Sequence, residues 1–350
     1  MDHALSTHQA EHAPRAAEAM RLAERAQRLE REGSAREALA EYDLALTLLA
    51  RQRPSAQQAD LLRWKGTLLR ELGQLSAADP VYAKSLDMSR RLPYAGGIAN
   101  ALNCQGIVAQ RRGNGKLARR LFSEAALNAV HAGERRLFSI IEQNLGALAM
   151  VQGDLKDAGA RFRVSLRGFH DAHDDEGACW VLVNLARLHS LAGEPDEAER
   201  ASDEALAVAR RAGLSALEGI VELSRVEPLL ARGRAAEAEE ACRRGLAMAE
   251  RRGDRAHRAE ALRLLALLAR GRGELERAAR ALDEARALAR ESEDALLAAE
   301  VERDAGDVWL LRGEPAAARL AWQLALDRFR GMGAAREAGA VEGRLAAPAA

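Results

Sequence analysis

Glycine recurs every forty residues along the chain. The series consists of Gly33, Gly73, Gly113, Gly153, Gly193, Gly233, Gly273 and Gly313, although only 28 of the 350 residues are glycine. Alanine stands five residues after every member, and a small residue (alanine, serine or glycine) stands twelve residues after. Self-similarity at a fixed period is typical of repeat proteins. The sequence therefore predicts eight copies of one unit rather than two or three globular domains.

Each repeat is predicted to be a pair of helices joined at this glycine. Glycine supplies the backbone freedom that a short turn between helices needs. In "GEPDEA" and "GEPAAA", Pro195 and Pro315 stand in the first turn of the second helix, where no backbone N–H is required. The first pair is expected near residues 15–32 and 34–52, with later pairs at intervals of forty. In five of the eight repeats an aromatic residue nine positions after the glycine is expected to fill the space between the helices.

Two prolines depart from this pattern. Pro80 lies within the predicted second helix of repeat 2, and Pro228 lies within the first helix of repeat 6. Each should kink its helix or remove a backbone hydrogen bond. Repeat 6 also has Val226 where repeats 2, 3, 4 and 8 have glycine, so it is predicted to be the most irregular.

The repeats are expected to form one elongated domain over residues 14–346, with a partial capping helix near 334–346. Residues 1–13 are predicted to be a flexible N-terminal tail and residues 347–350 a short C-terminal tail. The first of these lacks the charged-then-apolar pattern of a secretory signal, and no apolar run approaches the ~20 residues of a membrane span. A cytoplasmic protein is therefore expected, and the strong preference for arginine over lysine suggests a GC-rich bacterial genome.

The charge composition gives no reason to expect a nucleic acid or a membrane as the partner. The chain carries 52 basic and 52 acidic residues, a net charge of zero. Binding to phosphate backbones or anionic lipid surfaces depends on an excess of lysine and arginine. The three cysteines, Cys104, Cys179 and Cys242, show no metal-ligand spacing, and Cys242 occupies the aromatic core position of its repeat. It is expected to be a small buried apolar residue.

The order of glycine, alanine, aromatic and small residue resembles the tetratricopeptide repeat. The resemblance covers about residues 15–331 and is best in "NLGALAMVQGDLKDAGARFRVSL", residues 144–166. The period of forty is similar to the longer repeats of kinesin light chains and bacterial peptide-sensing regulators. The resemblance implies an all-α, right-handed α-solenoid whose first helices line a concave groove that holds peptides or other proteins. It implies no chemistry by itself.

By the geometry of that family, side chains thirteen, ten, nine and six positions before the turn glycine face the groove or the neighbouring first helix. Neighbouring helices lie about 8–10 Å apart and an extended peptide rises ~3.3 Å per residue, so one amide per repeat would meet about every third peptide residue. An amide can hold a peptide backbone by donating to a carbonyl and accepting from an N–H. Alternatively, the amides tie neighbouring helices together. The predicted groove residues are Asn100, Asn103, Gln143, Asn144, Trp180, Asn184 and Arg187, of which Trp180 fits a binding anchor and core packing equally well.

Motifs for chemistry are weak. "GNGKLARR" at Gly113 lacks the hydroxyl residue of a phosphate loop, because Leu117 occupies its place. "HDAHDDE" at residues 170–176 groups His170 and His173 with aspartates, but without ligand spacing on a helix face. No nucleophile–base pair is evident, so neither a metal, a cofactor nor an enzymatic activity is expected. The leucines from Leu262 to Leu268 surround most of one helix, which predicts burial by the chain itself, by a partner or by a second copy.

The favoured function is a non-enzymatic scaffold that binds a peptide or protein segment in the groove. The alternative is a bacterial regulatory sensor, in which a ligand in the groove alters the solenoid and switches a partner protein. An enzyme is the third and least favoured reading.

Overall fold

The computed structural model of the chain describes residues 2–32 and 34–347, without the side chains of residues 2–13 and 31. Within these residues the chain is entirely α-helical and has no strand. Gly33 and the last three residues of the predicted C-terminal tail lie outside the described residues. The helices are α1 (Asp2–Arg31), α2 (Ala35–Leu49), α3 (Ala56–Glu71), α4 (Leu75–Arg90), α5 (Ala95–Arg111), α6 (Gly115–His131), α7 (Arg135–Val151), α8 (Leu155–Asp171), α9 (Asp175–Ala192), α10 (Pro195–Arg211), α11 (Ser215–Ser224), α12 (Val226–Ala231), α13 (Ala235–Arg252), α14 (Arg255–Gly271), α15 (Leu275–Glu291), α16 (Ala295–Leu311), α17 (Pro315–Met332) and α18 (Ala335–Ala346).

The helices pair as the forty-residue period predicts. Each repeat is a first and a second helix: α1 with α2, α3 with α4, and so on to α16 with α17, except that the first helix of repeat 6 is divided into α11 and α12. Most of the extensive helix contacts join the two helices of one repeat or neighbouring helices along the chain. The chain is thus an all-α solenoid of helical hairpins, which confirms the predicted fold class. α18 lies where the sequence predicts the final partial helix.

The amino-terminal helix differs from the expectation. The sequence predicts a flexible tail at residues 1–13, whereas the backbone of α1 is already helical at Asp2. Residues 2–13 contain no glycine or proline and include several alanines, so no residue there stops a helix. Pro14 lies inside α1, where its fixed φ is compatible with a helix although it removes one backbone hydrogen bond.

The turn within each repeat requires a left-handed residue. The seven described glycines of the series have φ between 73° and 84°, a region that only glycine enters without a steric cost. In repeat 3 the N–H of Asn114 donates to the carbonyl of Ala109 at 2.8 Å, which closes the end of α5 across Gly113. The recurrent glycine is therefore a helix stop, as the sequence predicts.

The turns between repeats use the same conformation at Gly133, Gly213, Gly253 and Gly333, but His173 takes that place after repeat 4 with φ of 52°. A non-glycine residue in this region costs about 1–2 kcal/mol, while glycine costs roughly 0.5–1 kcal/mol through its freedom in the unfolded chain. We therefore expect His173→Gly to raise the free energy of unfolding by about 0.5–1 kcal/mol. Urea denaturation would measure it. His170→Gly, on the helical backbone at the end of α8, should instead destabilise, and a loss of stability in both variants would contradict the strain at His173.

The two interrupting prolines have different outcomes. α4 continues through Pro80 without a break. Pro228 lacks the N–H that would bond the carbonyl of Ser224, and the first helix of repeat 6 breaks there into α11 and α12, with Arg225 between them. The prediction that repeat 6 is the most irregular is confirmed.

In repeats 2, 3, 4 and 8 the core of the hairpin depends on a glycine in the first helix. A Cβ on Gly146 would lie 2.7 Å from the ring of Phe162 in the second helix. An added Cβ would likewise lie 2.4 to 2.7 Å from the facing ring in three other repeats: Gly66 with Tyr82, Gly106 with Phe122 and Gly306 with Trp322. Where repeat 6 has Val226 at this position, the facing residue is Cys242 rather than an aromatic, and both are fully buried. A large residue on one helix is therefore matched by a smaller residue on the other, so that the space between the helices stays filled.

The chain divides into two compact units. The first unit comprises residues 1–108 and 121–134, and the second comprises residues 109–120 and 135–350. Within the second unit, the end of α17 and the start of α18 meet the turns of repeats 3, 4 and 5. A Cβ on Gly115 would lie 2.8 Å from the carbonyl oxygen of Met332, and Arg336 donates to the carbonyl of Leu191 at 2.5 Å. Repeats far apart in sequence are thus in contact within this unit.

Candidate functional site

Charged side chains at the predicted groove positions of repeats 5–8 form a network within the second compact unit. Each of its seven members stands thirteen, ten, nine or six residues before a turn glycine. The network consists of Arg187 on α9, Glu227 on α12, Glu260 and Arg263 on α14, and Glu300, Arg303 and Asp304 on α16. First helices of four different repeats therefore contribute to one cluster.

Arg263 is the centre of this network, and its side chain is only 3% exposed. Its Nε and Nη2 atoms donate to both oxygens of Glu260 at 3.0 and 2.8 Å. Its Nη1 atom donates to Asp304 at 2.9 Å, and Nη2 also reaches Glu227 at 3.1 Å. A buried guanidinium with this many charge-assisted hydrogen bonds is held in one orientation.

Arg187 closes the network on its more exposed side. Its Nη2 atom donates to Glu300 Oε1 at 2.5 Å, a contact between residues 113 apart in sequence. The Arg187 side chain is 43% exposed, whereas Glu300 is largely buried. The first helix of repeat 5 is therefore joined directly to that of repeat 8, and a ligand at this place would contact both residues of the pair.

The carboxylates of the network do not share one electrostatic environment. Burial raises the pKa of Glu300, against the opposing attraction of Arg187 and Arg263. Burial would also raise the pKa of Glu260 and Asp304, but the neighbouring arginines outweigh it and hold both below their usual values. Three arginines face four carboxylates, a net charge of −1 when all are ionised. Of these three carboxylates, Glu300 is thus the one whose ionised form is stabilised least.

Two of the predicted groove residues lie in the first compact unit, where their amides are engaged. Asn100 donates from Nδ2 to the carbonyl of Gly96 in its own helix at 3.0 Å. Asn103 is buried and interacts with other groups of the protein. For Asn103 this favours the alternative that the amide has a structural role.

The remaining predicted groove residues lie in the second compact unit. Gln143, Asn144 and Asn184 are half-buried on α7 and α9, and Asn144 interacts with other groups of the protein. Trp180 is also half-buried and packs against the apolar cluster around Leu182 and Leu206. Arg187 belongs to the charged network described above. Whether these side chains bind a ligand stays a prediction.

Six members of the network were missed in the sequence: Glu227, Glu260, Arg263, Glu300, Arg303 and Asp304. The sequence does indicate these residues, because the four positions that hold the amides in repeats 3–5 hold these charged residues in repeats 6–8. The pairing between repeats 5 and 8 was not readable, because it depends on how tightly the successive hairpins curve.

The weak chemical motifs have structural roles. In "GNGKLARR", Gly113 is the left-handed turn residue and Asn114 Oδ1 accepts from the N–H of Leu117 at 3.1 Å, which caps α6. In "HDAHDDE", Asp174 caps α9 by accepting from Gly177 and also pairs with Arg136 at 2.6 Å. Among the described residues, no group of three or more metal-ligating side chains could hold a metal ion.

The leucine-rich helix α14 is covered by its own chain. Leu262, Leu264 and Leu268 are buried, and Leu265 and Leu267 are partly buried against the same cores. Because none of these leucines is exposed, the predicted self-association near Leu262–Leu268 has no apolar surface there to use. Of the three explanations for that helix, burial within the chain is the correct one.

The buried cysteines have no features of reactive thiols. Cys104, Cys179 and Cys242 are free and buried. Burial raises the pKa of Cys179 to about 11 and that of Cys242 to about 12, so the nucleophilic thiolate is disfavoured. In the part of the chain that the structure describes, no helix combines the length and apolar character needed to span a bilayer.

Comparisons with known proteins agree with this architecture. The tetratricopeptide repeat family model matches residues 136–211, and no curated protein sequence matches the chain. A solved structure of a Rap protein complexed with Competence and Sporulation Factor is similar with a TM-score of 0.64 and 13% identity, over 94% of this chain and 96% of that one.

Two further solved structures are similar. One is the Rap conjugation gene regulator of a plasmid in complex with a Phr peptide, with a TM-score of 0.62, 14% identity and coverage of 91% and 97% of the two chains. The other is aspartyl phosphate phosphatase F from Bacillus subtilis, with a TM-score of 0.59, 13% identity and coverage of 83% and 75%. At these identities the likeness shows the fold.

The forty-residue hairpins, the core of glycine and aromatic residues and the matched repeats together define a helical repeat protein. Residues 136–211 match the tetratricopeptide repeat model, in agreement with the resemblance in the residue pattern.

Proposed function

We propose that the protein binds an extended peptide, or an extended segment of another protein, along the inward faces of α7, α9, α14 and α16. The observation that carries this proposal is the Arg187–Glu300 pair, which links repeats 5 and 8 and leaves Arg187 43% exposed. Accessible amides on α7 and α9 lie at the equivalent inward positions. Amides can hold a peptide backbone, while Arg187 and Glu300 can each exchange their partner for a charged ligand side chain.

The charge of the network favours a basic residue in the ligand. Glu300 is less stabilised in its ionised form than Glu260 and Asp304. A lysine or arginine of the ligand would therefore gain more beside Glu300 than an acidic residue beside Arg187. Two similar structures are named as complexes, one with Competence and Sporulation Factor and one with a Phr peptide, and the second supports a peptide as the ligand. The third is named a phosphatase, but the inward side chains here are amides and ion pairs rather than a nucleophile beside a base. The proposed role is therefore non-enzymatic.

Replacing Asn184 by alanine tests this function. Peptides selected from a displayed random library on the wild-type protein would serve as the probe, with affinity measured by fluorescence anisotropy. Loss of one hydrogen bond of roughly 0.5–1.5 kcal/mol should weaken binding about two- to tenfold. Because Asn184 is half-buried, the melting temperature should hardly change.

The control for this experiment is Asn128→Ala on the second helix α6, where the amide donates to the carbonyl of Glu124 at 2.8 Å. It should leave affinity unchanged. A lower melting temperature of Asn184→Ala with unaltered affinity would contradict the proposal and favour an amide that ties helices together.

The second candidate function is a regulatory sensor. The Arg187–Glu300 pair favours it, because a ligand that replaces either partner would release a contact between repeats 5 and 8. One similar structure is named a gene regulator. Hydrogen exchange distinguishes the two functions: a sensor should show faster exchange in α18 and the adjoining turn at Gly333 when a selected peptide binds, whereas a passive scaffold should show protection at the inward helices alone.

A further inference from the structure

The break in repeat 6 places an arginine where a regular hairpin would have a helical residue. α11 ends at Ser224 and α12 begins at Val226, because Pro228 leaves the carbonyl of Ser224 without its helical N–H partner. Arg225 lies between the two helices, and its side chain is largely buried. The break in the helix therefore determines the position of the Arg225 guanidinium group.

A pocket of about 470 Å³ lies beside this break, within the second compact unit. Asp203, Leu206, Ala207 and Arg210 of α10 line one side, and Arg225 and Arg244 complete it. Three guanidinium groups and one carboxylate line the pocket, a net charge of +2. Its volume falls in the range of about 300–1,000 Å³ that is typical of small-molecule sites.

A buried carboxylate under the pocket orients these arginines. Glu222, only 3% exposed, accepts from Arg244 Nε and Nη2 at 2.9 and 3.0 Å. Arg225 Nη1 also donates to Glu222, at 3.4 Å. One carboxylate thus holds two guanidinium groups from different elements, and both line the same pocket.

Several donors in the pocket are not used by the protein. The nearest carboxylate oxygens to Arg210 belong to Glu222 at 3.6 Å and Glu218 at 4.0 Å, both beyond hydrogen-bond distance. Arg225 Nε is buried and has no hydrogen-bond partner among the described residues. Arg210 can therefore bond an anion in the pocket without giving up a hydrogen bond to the protein.

From these observations we infer that the pocket binds a small organic phosphate. A phosphomonoester carries a charge of about −1.5 to −2 at pH 7 and three acceptor oxygens, which match the unused donors of Arg210 beside the guanidinium groups of Arg225 and Arg244. The planar guanidinium group binds phosphate through paired hydrogen bonds. Leu206 and Ala207 offer apolar contact to the organic part. Arg225 and Arg244 already pair with Asp203 and Glu240, respectively. Because both carboxylates are more than half exposed, they compete only weakly with a phosphate for these arginines.

Isothermal titration calorimetry of the whole protein with ribose 5-phosphate, AMP and inorganic phosphate tests this site. An organic phosphate should bind at least tenfold more tightly than inorganic phosphate, because only it fills the pocket. Binding should weaken as the pH falls from about 7 to about 5, because the phosphate dianion takes up a proton and becomes a monoanion. Equal affinity for all three probes, or no saturable binding at millimolar concentration, would overturn the inference.

The arginines provide matched variants. Arg210→Gln should weaken the binding of AMP or ribose 5-phosphate at least tenfold. Because the Arg210 side chain is 60% exposed, the substitution should not destabilise the fold. Arg211→Gln changes the next residue on α10, which is 65% exposed and paired with Asp175, and should leave affinity unchanged. Equal losses in both variants would indicate nonspecific charge and reject the site. Tighter binding of a phosphoserine peptide than of either small phosphate would also overturn the small-molecule assignment.

Discussion

Arg263→Leu is expected to lower the free energy of unfolding by about 3–5 kcal/mol, because it removes the arginine bonded to both oxygens of the half-buried Glu260 and one of the two arginines bonded to the buried Asp304. Arg263 is 3% exposed and bonds Glu260 and Asp304 at 2.8 to 3.0 Å. Leucine has a similar stem but cannot supply any of these hydrogen bonds. Urea denaturation followed by circular dichroism at neutral pH would measure the loss.

The difference between wild type and Arg263→Leu should shrink as the pH falls from about 7 to about 4. In the wild type the arginines lower the pKa of Glu260 and Asp304, so the stability from these groups is present above their unfolded pKa values and is lost on acidification. In the variant Glu260 and Asp304 lack the attraction of Arg263 and bind protons at higher pH, which relieves the free-energy cost of burying their charge. Both effects bring the two proteins together at low pH.

The control for Arg263 is Arg255→Leu on the same helix. Arg255 is 59% exposed and lies 3.5 Å from Glu291, a surface pair for which we expect less than about 1 kcal/mol. A similar small cost at Arg263, or a cost that grows on acidification, would show that the buried carboxylates do not depend on this guanidinium.

The fold could be predicted from the sequence because each repeat contains the residues that form its own turn. The left-handed glycine, the alanine at the helix contact and the aromatic filler all act within one hairpin, so a single sequence with eight copies defines them. Pro228 and Val226 likewise predicted the irregular repeat, since a missing N–H acts on its own helix. The helical start at Asp2 was not predicted from the sequence.

The candidate site was only partly readable for a different reason. The inward positions follow from the period, and they select both the amides and the charged network. The partners of each side chain do not follow, because Arg187 meets Glu300 only through the curvature summed over several hairpins. Asn103 shows the converse: its position is inward, yet packing buries it. The arginine pocket had no sequence signature beyond the proline that breaks the helix.

The pairing of a small residue on one helix with a large residue on the other predicts the second large effect on stability. Gly146→Val should destabilise the protein by about 3 kcal/mol, because overpacking at a full core site forces the backbone or the ring to move. A Cβ at this position would already lie 2.7 Å from Phe162. Gly331→Val on α17 is the matched control, since a Cβ there meets no atom within 4 Å, and it should cost little.

Repeat 6 suggests the rescue. It carries Val226 and Cys242 at the positions of Gly146 and Phe162, so Phe162→Cys should relieve the clash of Gly146→Val. Phe162→Cys alone opens a cavity and should cost about 3–5 kcal/mol, as for other large-to-small changes. The double variant should be more stable than the sum of the two losses by about 1–3 kcal/mol, the coupling typical of residues in contact. A double-mutant cycle by urea denaturation measures this coupling. Additive losses would mean that the glycine and the aromatic are independent, and that the repeated pairing has another cause.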